Sequence, residues 1–507
     1  MTFAARPPGR RWGTTSSTSA IPTTKAESIA FGYSLCLRSL KQKLLQICGV
    51  RRGATMTSLL ELTKRVGVSA CAMTHTTERM THRLGVVPFL PRLSADRFTH
   101  LGGIAKDEFQ RRMGECRSFE DGRWAGYWER FADEHIARAD AALTRLNGPD
   151  TRQLLDPAAG VDLRRLGELL APAVTILADR GTVADPDAVS RFIAAHPEHA
   201  DAATAVDGLI KALVYEFVAA WPGWSPRRLR AYERSHRLCE VLVPALAPAM
   251  GMSIEVVHIP VGAQQVRGIL MLPVGAESVP TVLVTNGLEG TIAEVLLPLL
   301  AQRDSGMGTF VMEMPGTYSY TEPMTAASEG IYSTVIDYLS AEPRIDADRI
   351  GMTGFSFGGY WATRMAAVDP RLKVVVTNGP LTHHSFGARN SIGMPEIMVS
   401  TLMRTVGAAD TAELSKKLKA LSLAHHYRRI EMPLLVVNGA RDTLASTQDS
   451  IDLAVEAPNA QLVLYADDDH CAMGNAEHWS SLTADFLRNH LVLRDHLNTV
   501  EPVQVAR

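Results

Sequence analysis

The chain has 507 residues, a formal net charge of −2 and 46% hydrophobic residues, which suits two or three globular domains. Near-neutral charge with no basic face argues against nucleic acid as the main partner. No apolar run approaches the about 18–20 residues that span a bilayer, so no membrane association is expected.

The six cysteines (Cys36, Cys48, Cys71, Cys116, Cys239 and Cys471) are scattered without a C-x-x-C pair. That spacing predicts a reduced, cytoplasmic setting with neither a disulfide framework nor a zinc site. Residues 1–55 are basic, with Glu27 the only acid and a low-complexity run from Thr14 to Ser19. A targeting peptide has this composition, but disorder or an over-long start is the stronger expectation. Met56, Met73 and Met80 are alternative starts. Residues 1–85 are therefore set apart as an extension, and removing residues 1–80 is expected to change neither solubility nor activity.

Residues 86–250 read as helical. Trp124, Tyr127, Trp128 and Phe131 recur at helical spacing in a stretch running to Leu146 and closed by Asn147-Gly148-Pro149. Such a stripe usually faces a core or an interdomain contact, with substrate lining as the lesser alternative. Further helices are predicted over 162–179, 187–195, 202–220 and 225–247, the last two punctuated by Pro222 and Pro226.

At Ser253 the period becomes strand-like. Strands over 253–259 and 266–272 form a hairpin, then strands at 281–285, 309–314 and 373–377 alternate with helices at 291–303 and 326–339. An irregular stretch covers 381–429, followed by strands 434–437 and 461–465, a helix at 446–454 and a last helix at 476–490. Residues 251–493 thus form an α/β unit, a mostly parallel sheet wrapped on both faces, with 494–507 as a tail.

Arg349-Ile350-Gly351-Met352-Thr353 reads as a buried strand bounded by the charged turn Asp346-Ala347-Asp348, and Phe357 opens a helix ended by Asp369-Pro370. Between them stands Gly354-x-Ser356-x-Gly358, the strand–turn–helix setting of a nucleophile elbow. A serine hydroxyl attacks only when a histidine takes its proton and an acid orients that histidine. Asp442 and His470 each follow a late strand at the same edge of the sheet, in the order Ser, Asp, His. Asp449 and Asp452 lie nearby but inside a helix, and Asp467, Asp468 and Asp469 read as turn residues. The oxyanion needs two backbone donors, for which Leu288 and Phe357 are the candidates. Glu289 either caps the helix near Thr291 or faces the pocket and holds a substrate hydroxyl or ketone. His383-His384 and His425-His426 lack metal-ligand spacing, and Cys471 reads as a packed thiol. No metal or cofactor motif occurs.

Asn286-Gly287-Leu288-Glu289, Met312-Glu313-Met314-Pro315-Gly316, the elbow and Asp469-His470-Cys471 together resemble the α/β-hydrolases related to 2,6-dihydroxypseudooxynicotine hydrolase and the FrsA-like esterases. Fungal polyketide-shortening hydrolases look like further relatives. The resemblance runs from about 253 to 490 and is fainter over the helices. It implies an α/β-hydrolase fold with an eight-stranded sheet, residues 86–250 as a helical cap, and a metal-free, cofactor-free triad of Ser356, Asp442 and His470. The sequence departs at Pro315-Gly316-Thr317-Tyr318, where the diketone hydrolases have a second glycine, and carries additional residues around 150–198.

The expected function is hydrolysis of a small carbonyl substrate, a carboxylic ester, through an acyl-enzyme. The alternatives are hydrolytic carbon–carbon cleavage of an acyl-phenol, β-diketone or polyketide, and a catalytically idle fold used for binding. The expected partner is a small molecule, with a homodimer left open.

Overall fold

The structure, a computed structural model, describes residues 56–179, 185–275, 277–387 and 392–493. The tail beyond 493 lies outside the described residues. The chain divides into two compact units, Met1–Thr63 and Lys64–Arg507. Of the first, only the opening of helix Met56–Met73 is described.

Disorder or an over-long start is the expectation for residues 1–85, but their described part is ordered helix. Helices Met56–Met73 and Thr77–Leu84 stand there. Within the second unit, Arg65 donates to the Ile392 carbonyl at 2.7 Å and Ser69 Oγ accepts the Gly393 N–H at 2.7 Å. The Glu78 carboxylate accepts the Phe119 N–H at 2.9 Å and the Ser118 hydroxyl. Polar contacts of this kind to distant loops leave no apolar pattern in the sequence.

Helices Ser94–Gly102, Asp121–Arg145, Ala200–Ala220 and Pro226–Leu246 dominate the helical region. Almost every side chain of the 200–220 helix is buried, as a helix apolar all round must be. The aromatic stripe is core: Trp124 and Trp128 are fully buried, and Trp128 stacks on Phe109 at 5.2 Å. The single helix expected over 162–179 is broken into Leu163–Leu170, a 3-10 turn Ala171–Ala173 and Thr175–Ala178, because Pro172 cannot donate within it.

Eight strands follow: β1 (Met252–Val261), β2 (Gln264–Pro273), β3 (Val279–Thr285), β4 (Gly308–Met312), β5 (Ile345–Phe355), β6 (Leu372–Asn378), β7 (Leu434–Gly439) and β8 (Ala460–Tyr465). They form one sheet in the order β1-β2-β4-β3-β5-β6-β7-β8. β1 and β2 are antiparallel, as are β2 and β4, and all other pairs are parallel. β5 starts earlier than expected. It runs through Asp346-Ala347-Asp348, whose charges sit on an irregular, solvent-facing part before the register resumes at Ile350. The stretch after β6 contains helices Glu396–Thr405 and Thr411–Ala420. Helices Ile292–Leu299 and Ala476–Leu491 lie over the sheet, the first against β4 and the second against β5 and β6. Parallel order places the carboxyl ends of β3 to β8 along one edge, where loops can gather reactive groups. Among the described residues no helix is long and apolar enough to cross a membrane.

Candidate active site

β5 leads through Ser356 straight into helix Phe357–Val368. Ser356 adopts φ 56° and ψ −119°, a strained conformation for a residue with a side chain. The glycines on either side permit it. A Cβ on Gly354 would lie 2.0 Å from the Gly358 carbonyl oxygen, and one on Gly358 would lie 2.4 Å from that of Asn286. The Ser356 N–H donates to the Asn378 carbonyl at 2.7 Å, fastening the turn to β6.

His470 Nε2 lies 2.8 Å from Ser356 Oγ, and His470 Nδ1 lies 2.7 Å from Asp442 Oδ2. A carboxylate only accepts, so Nδ1 donates to Asp442 and Nε2 is left to accept from the serine hydroxyl. The Asp442 side chain is wholly buried. Its Oδ1 accepts the N–H groups of Leu444 and Ala445 at 2.9 and 2.7 Å, and Oδ2 also accepts from Asn438 Nδ2 at 3.0 Å. Burial opposes a charge on His470, but the adjacent Asp442 carboxylate outweighs it. The His470 pKa is therefore held well above its ordinary value.

Asp449 sits elsewhere. Its buried carboxylate accepts the backbone N–H groups of Thr382, His383, His384 and Ser385 and the Ser385 hydroxyl, which fixes the chain after β6. Asp468 and Asp469 brace the loop that carries His470: Asp469 Oδ1 accepts the N–H groups of Thr443 and His470, and Asp468 accepts from Asn475. His383 and His384 pair with Ser422 and Asp452 near the surface. Among the described residues no three His, Cys, Asp or Glu side chains group to hold a metal ion.

Two asparagines escape a reading by motif. Asn378, the last residue of β6, donates to the Cys471 carbonyl at 3.1 Å, and Asn438 of β7 accepts the Cys471 N–H at 3.1 Å. Together they grip the residue after His470, and the buried Cys471 adopts φ 58° there. A polar residue ending an otherwise apolar strand is the one sequence signal they leave.

A cavity of about 200 Å3 opens on Ser356 and His470. Leu288 and Phe357 line it. A Cβ on Gly287 would lie 2.9 Å from Ser356 Cβ, so only glycine lets the 286–290 backbone approach this closely. Phe357 is the first residue of its helix, so its N–H has no acceptor within that helix.

Glu289 lies at the cavity wall with its carboxylate engaged. Arg97 Nη1 donates to it at 2.7 Å and Trp221 Nε1 at 3.4 Å. Arg97 also donates to Glu294 at 2.8 Å through Nη2. The helix cap expected of Glu289 belongs to Thr291, whose side chain accepts the Glu294 N–H. Arg97 comes from the helical region, where nothing in its sequence neighbourhood announces it.

The Esterase FrsA-like family matches residues 194–468. Esterase FrsA of Vibrio cholerae is 26% identical over 268 residues, covering 51% of this chain and 64% of the relative's length. The 2,6-dihydropseudooxynicotine hydrolase of Paenarthrobacter nicotinovorans is 28% identical over 251 residues, covering 48% of this chain and 66% of the relative. Among solved structures, that of 2,6-dihydroxy-pseudo-oxynicotine hydrolase superposes with a TM-score of 0.59 at 20% identity, over 82% of this chain and 98% of its own. AbyA5 does so with a TM-score of 0.51 at 20% identity, over 66% of this chain and 96% of its own. The structural likenesses bear on the fold, which is that of an α/β-hydrolase. The family match covers more than half of the sequence, and the chain belongs to the FrsA-like esterase family.

Proposed function

We propose that the protein is a serine hydrolase that cleaves a carboxylic ester through an acyl-enzyme. The reading rests on one observation, the hydrogen-bonded chain from Ser356 Oγ through His470 to the buried Asp442 at the mouth of a cavity. Ser356 Oγ bonds to the ester carbonyl carbon while its proton passes to His470 Nε2. The resulting oxyanion receives the Leu288 and Phe357 amides. As the carbonyl reforms, the carbon–oxygen bond to the alcohol breaks and His470 returns the proton to the leaving oxygen. Water then repeats the cycle against the acyl group: His470 takes one proton, the hydroxyl adds to carbon, and Ser356 leaves with the proton. Ester and water become acid and alcohol. Asp442 keeps His470 in the tautomer that accepts from serine. Glu289, held by Arg97, is assigned to the wall of the site, near enough to touch a substrate group.

The test is labelling with a fluorophosphonate, followed by turnover of aryl esters and β-diketones. Wild type should carry the label on Ser356 and hydrolyse the esters. Ser356→Ala should lose the label and at least about 10³-fold in kcat/KM with its fold retained. Retention of a tenth of the activity in that variant would remove Ser356 as nucleophile. Cleavage of diketones alone would move the assignment to carbon–carbon bonds.

A further inference from the structure

β3 lies between β4 and β5 in the sheet. Helix Ile292–Leu299 packs on β4, and helix Ala476–Leu491 packs on β5 and β6. The strip above β3 is therefore left between two helices, and the cavity at Ser356 continues along it. Its floor is Val282 and Val284 of β3 with Thr353 and Phe355 of β5. Its walls include Val295 and Leu299 on one side and Thr483 and Leu487 on the other. The far end, by Gln302 and Ser305, is half-buried.

Among the described residues this slot carries no charged side chain. The charged groups that line the cavity nearby, Arg97, Glu289 and Glu294, gather at the carboxyl end of β3 and are paired with one another. The slot runs the other way, back along β3 towards its amino end. Register places Thr285 beside Gly354 and Val282 beside both Gly351 and Thr309. From Ser356 to the level of Val282 is about five residues of strand, or about 16 Å. A bond of about 1.5 Å advances about 1.25 Å along an extended zigzag, so, with about 2 Å for the terminal methyl's own radius, about twelve carbons fill that length.

The side of the serine decides which arm of the ester enters. His470 follows β8 and reaches Ser356 from the β6–β8 side of β5, so the leaving oxygen it must protonate lies on that side. The slot lies on the opposite side, over β3. We propose that the slot between helices Ile292–Leu299 and Ala476–Leu491 holds the acyl arm of the substrate, a linear aliphatic chain of up to about twelve carbons. This rests on the ester-hydrolase reading above and names its substrate class.

The test measures kcat/KM of the full chain for p-nitrophenyl acetate, hexanoate, decanoate and palmitate. Full burial of each methylene favours the longer chain by up to about fourfold, so decanoate should exceed acetate by at least about thirtyfold. Growth should stop beyond about twelve carbons, where the lined length ends. Ala484→Phe, which fills the slot from the 476–491 helix, should lower the decanoate-to-acetate ratio at least tenfold. Wild-type inactivation by ethyl and decyl p-nitrophenyl phosphonates gives the same comparison if that variant fails to fold, the decyl reagent reacting at least tenfold faster at Ser356. Acetate turnover that depends on Ser356, with a chain-length profile flat within twofold, overturns the slot and leaves the esterase reading intact. No ester turnover and no phosphonate adduct at Ser356 overturns that reading and the slot with it.

Discussion

The Arg97 guanidinium lies 2.7 Å from the Glu289 carboxylate, fastening a helix to the loop after β3 that lies 192 residues further along the chain. Arg97, Glu289 and Glu294 are all largely buried, with side-chain exposures of 12%, 8% and 14%. Arg97→Met would leave two carboxylates buried without their cation, an arrangement that costs about 3–5 kcal/mol. Glu289→Gln keeps the Arg97–Glu294 pair and should cost less than half as much. Thermal unfolding of the two variants checks the ordering, and equal losses would contradict it. Turnover separates roles for Glu289. If it touches substrate, Glu289→Gln lowers kcat/KM for the natural substrate more than for a generic aryl ester.

Asp442→Asn and Asp449→Asn should fail in opposite ways. Asp442→Asn disturbs the tautomer of His470 and should lower kcat/KM by about 10³–10⁴-fold. Asp449 accepts five hydrogen bonds while fully buried, and an amide cannot accept them all. Asp449→Asn should therefore cost about 2–3 kcal/mol of stability while the purified protein retains much of its rate below its melting range. Similar rate losses with similar melting points would refute the division of labour.

The pKa of His470 is raised above 6.5 by Asp442, against the pull of burial. The folded state thus binds that proton more tightly than the unfolded chain. Its contribution to stability is fully present below about pH 6.5 and is lost as pH rises through the folded value. In the proposed mechanism turnover needs the neutral imidazole, so kcat/KM should rise along a limb lying above about pH 6.5. Asp442→Asn should shift what remains of that limb to lower pH. A wild-type limb centred at pH 6 or below would contradict the geometry.

A chain beginning at Met80 loses Arg65, Ser69 and Glu78, and with them the contacts to Ile392, Gly393, Ser118 and Phe119. Relative to a chain beginning at Lys64, it should melt at least about 3 °C lower. Matching melting curves would show those contacts to be worth nothing.

The elbow is legible in sequence because everything it requires is local: two glycines, a serine, an apolar strand before and a helix after. Asp442 and His470 are legible for a related reason, since parallel strands deliver the residues after them to one edge. The β3–β8 strands are readable as apolar runs, but β5 hides its start beneath charged residues that an irregular edge tolerates. Arg97, Asn378 and Asn438 are a different matter. Each acts on a partner far away in the chain, and no periodicity records which distant carbonyl or carboxylate it will meet. The helices before residue 85 are missed because contacts that anchor them are polar ones to distant loops, which no apolar period records.

Ser356 and His470 are separated by 114 residues, and Asp442 and His470 by 28. They meet only once β6 has paired with β5, β7 with β6 and β8 with β7, with Asn378 and Asn438 closing on the last loop. Such non-local parallel pairings form slowly, because each closes a long loop before any contact rewards it. On the proposed reading, a chain still emerging from the ribosome has an inert serine until β8 and the loop carrying His470 are available. The onset of the proposed ester cleavage during refolding would then be a clock for the final edge of the sheet, distinct from the earlier recovery of helical signal.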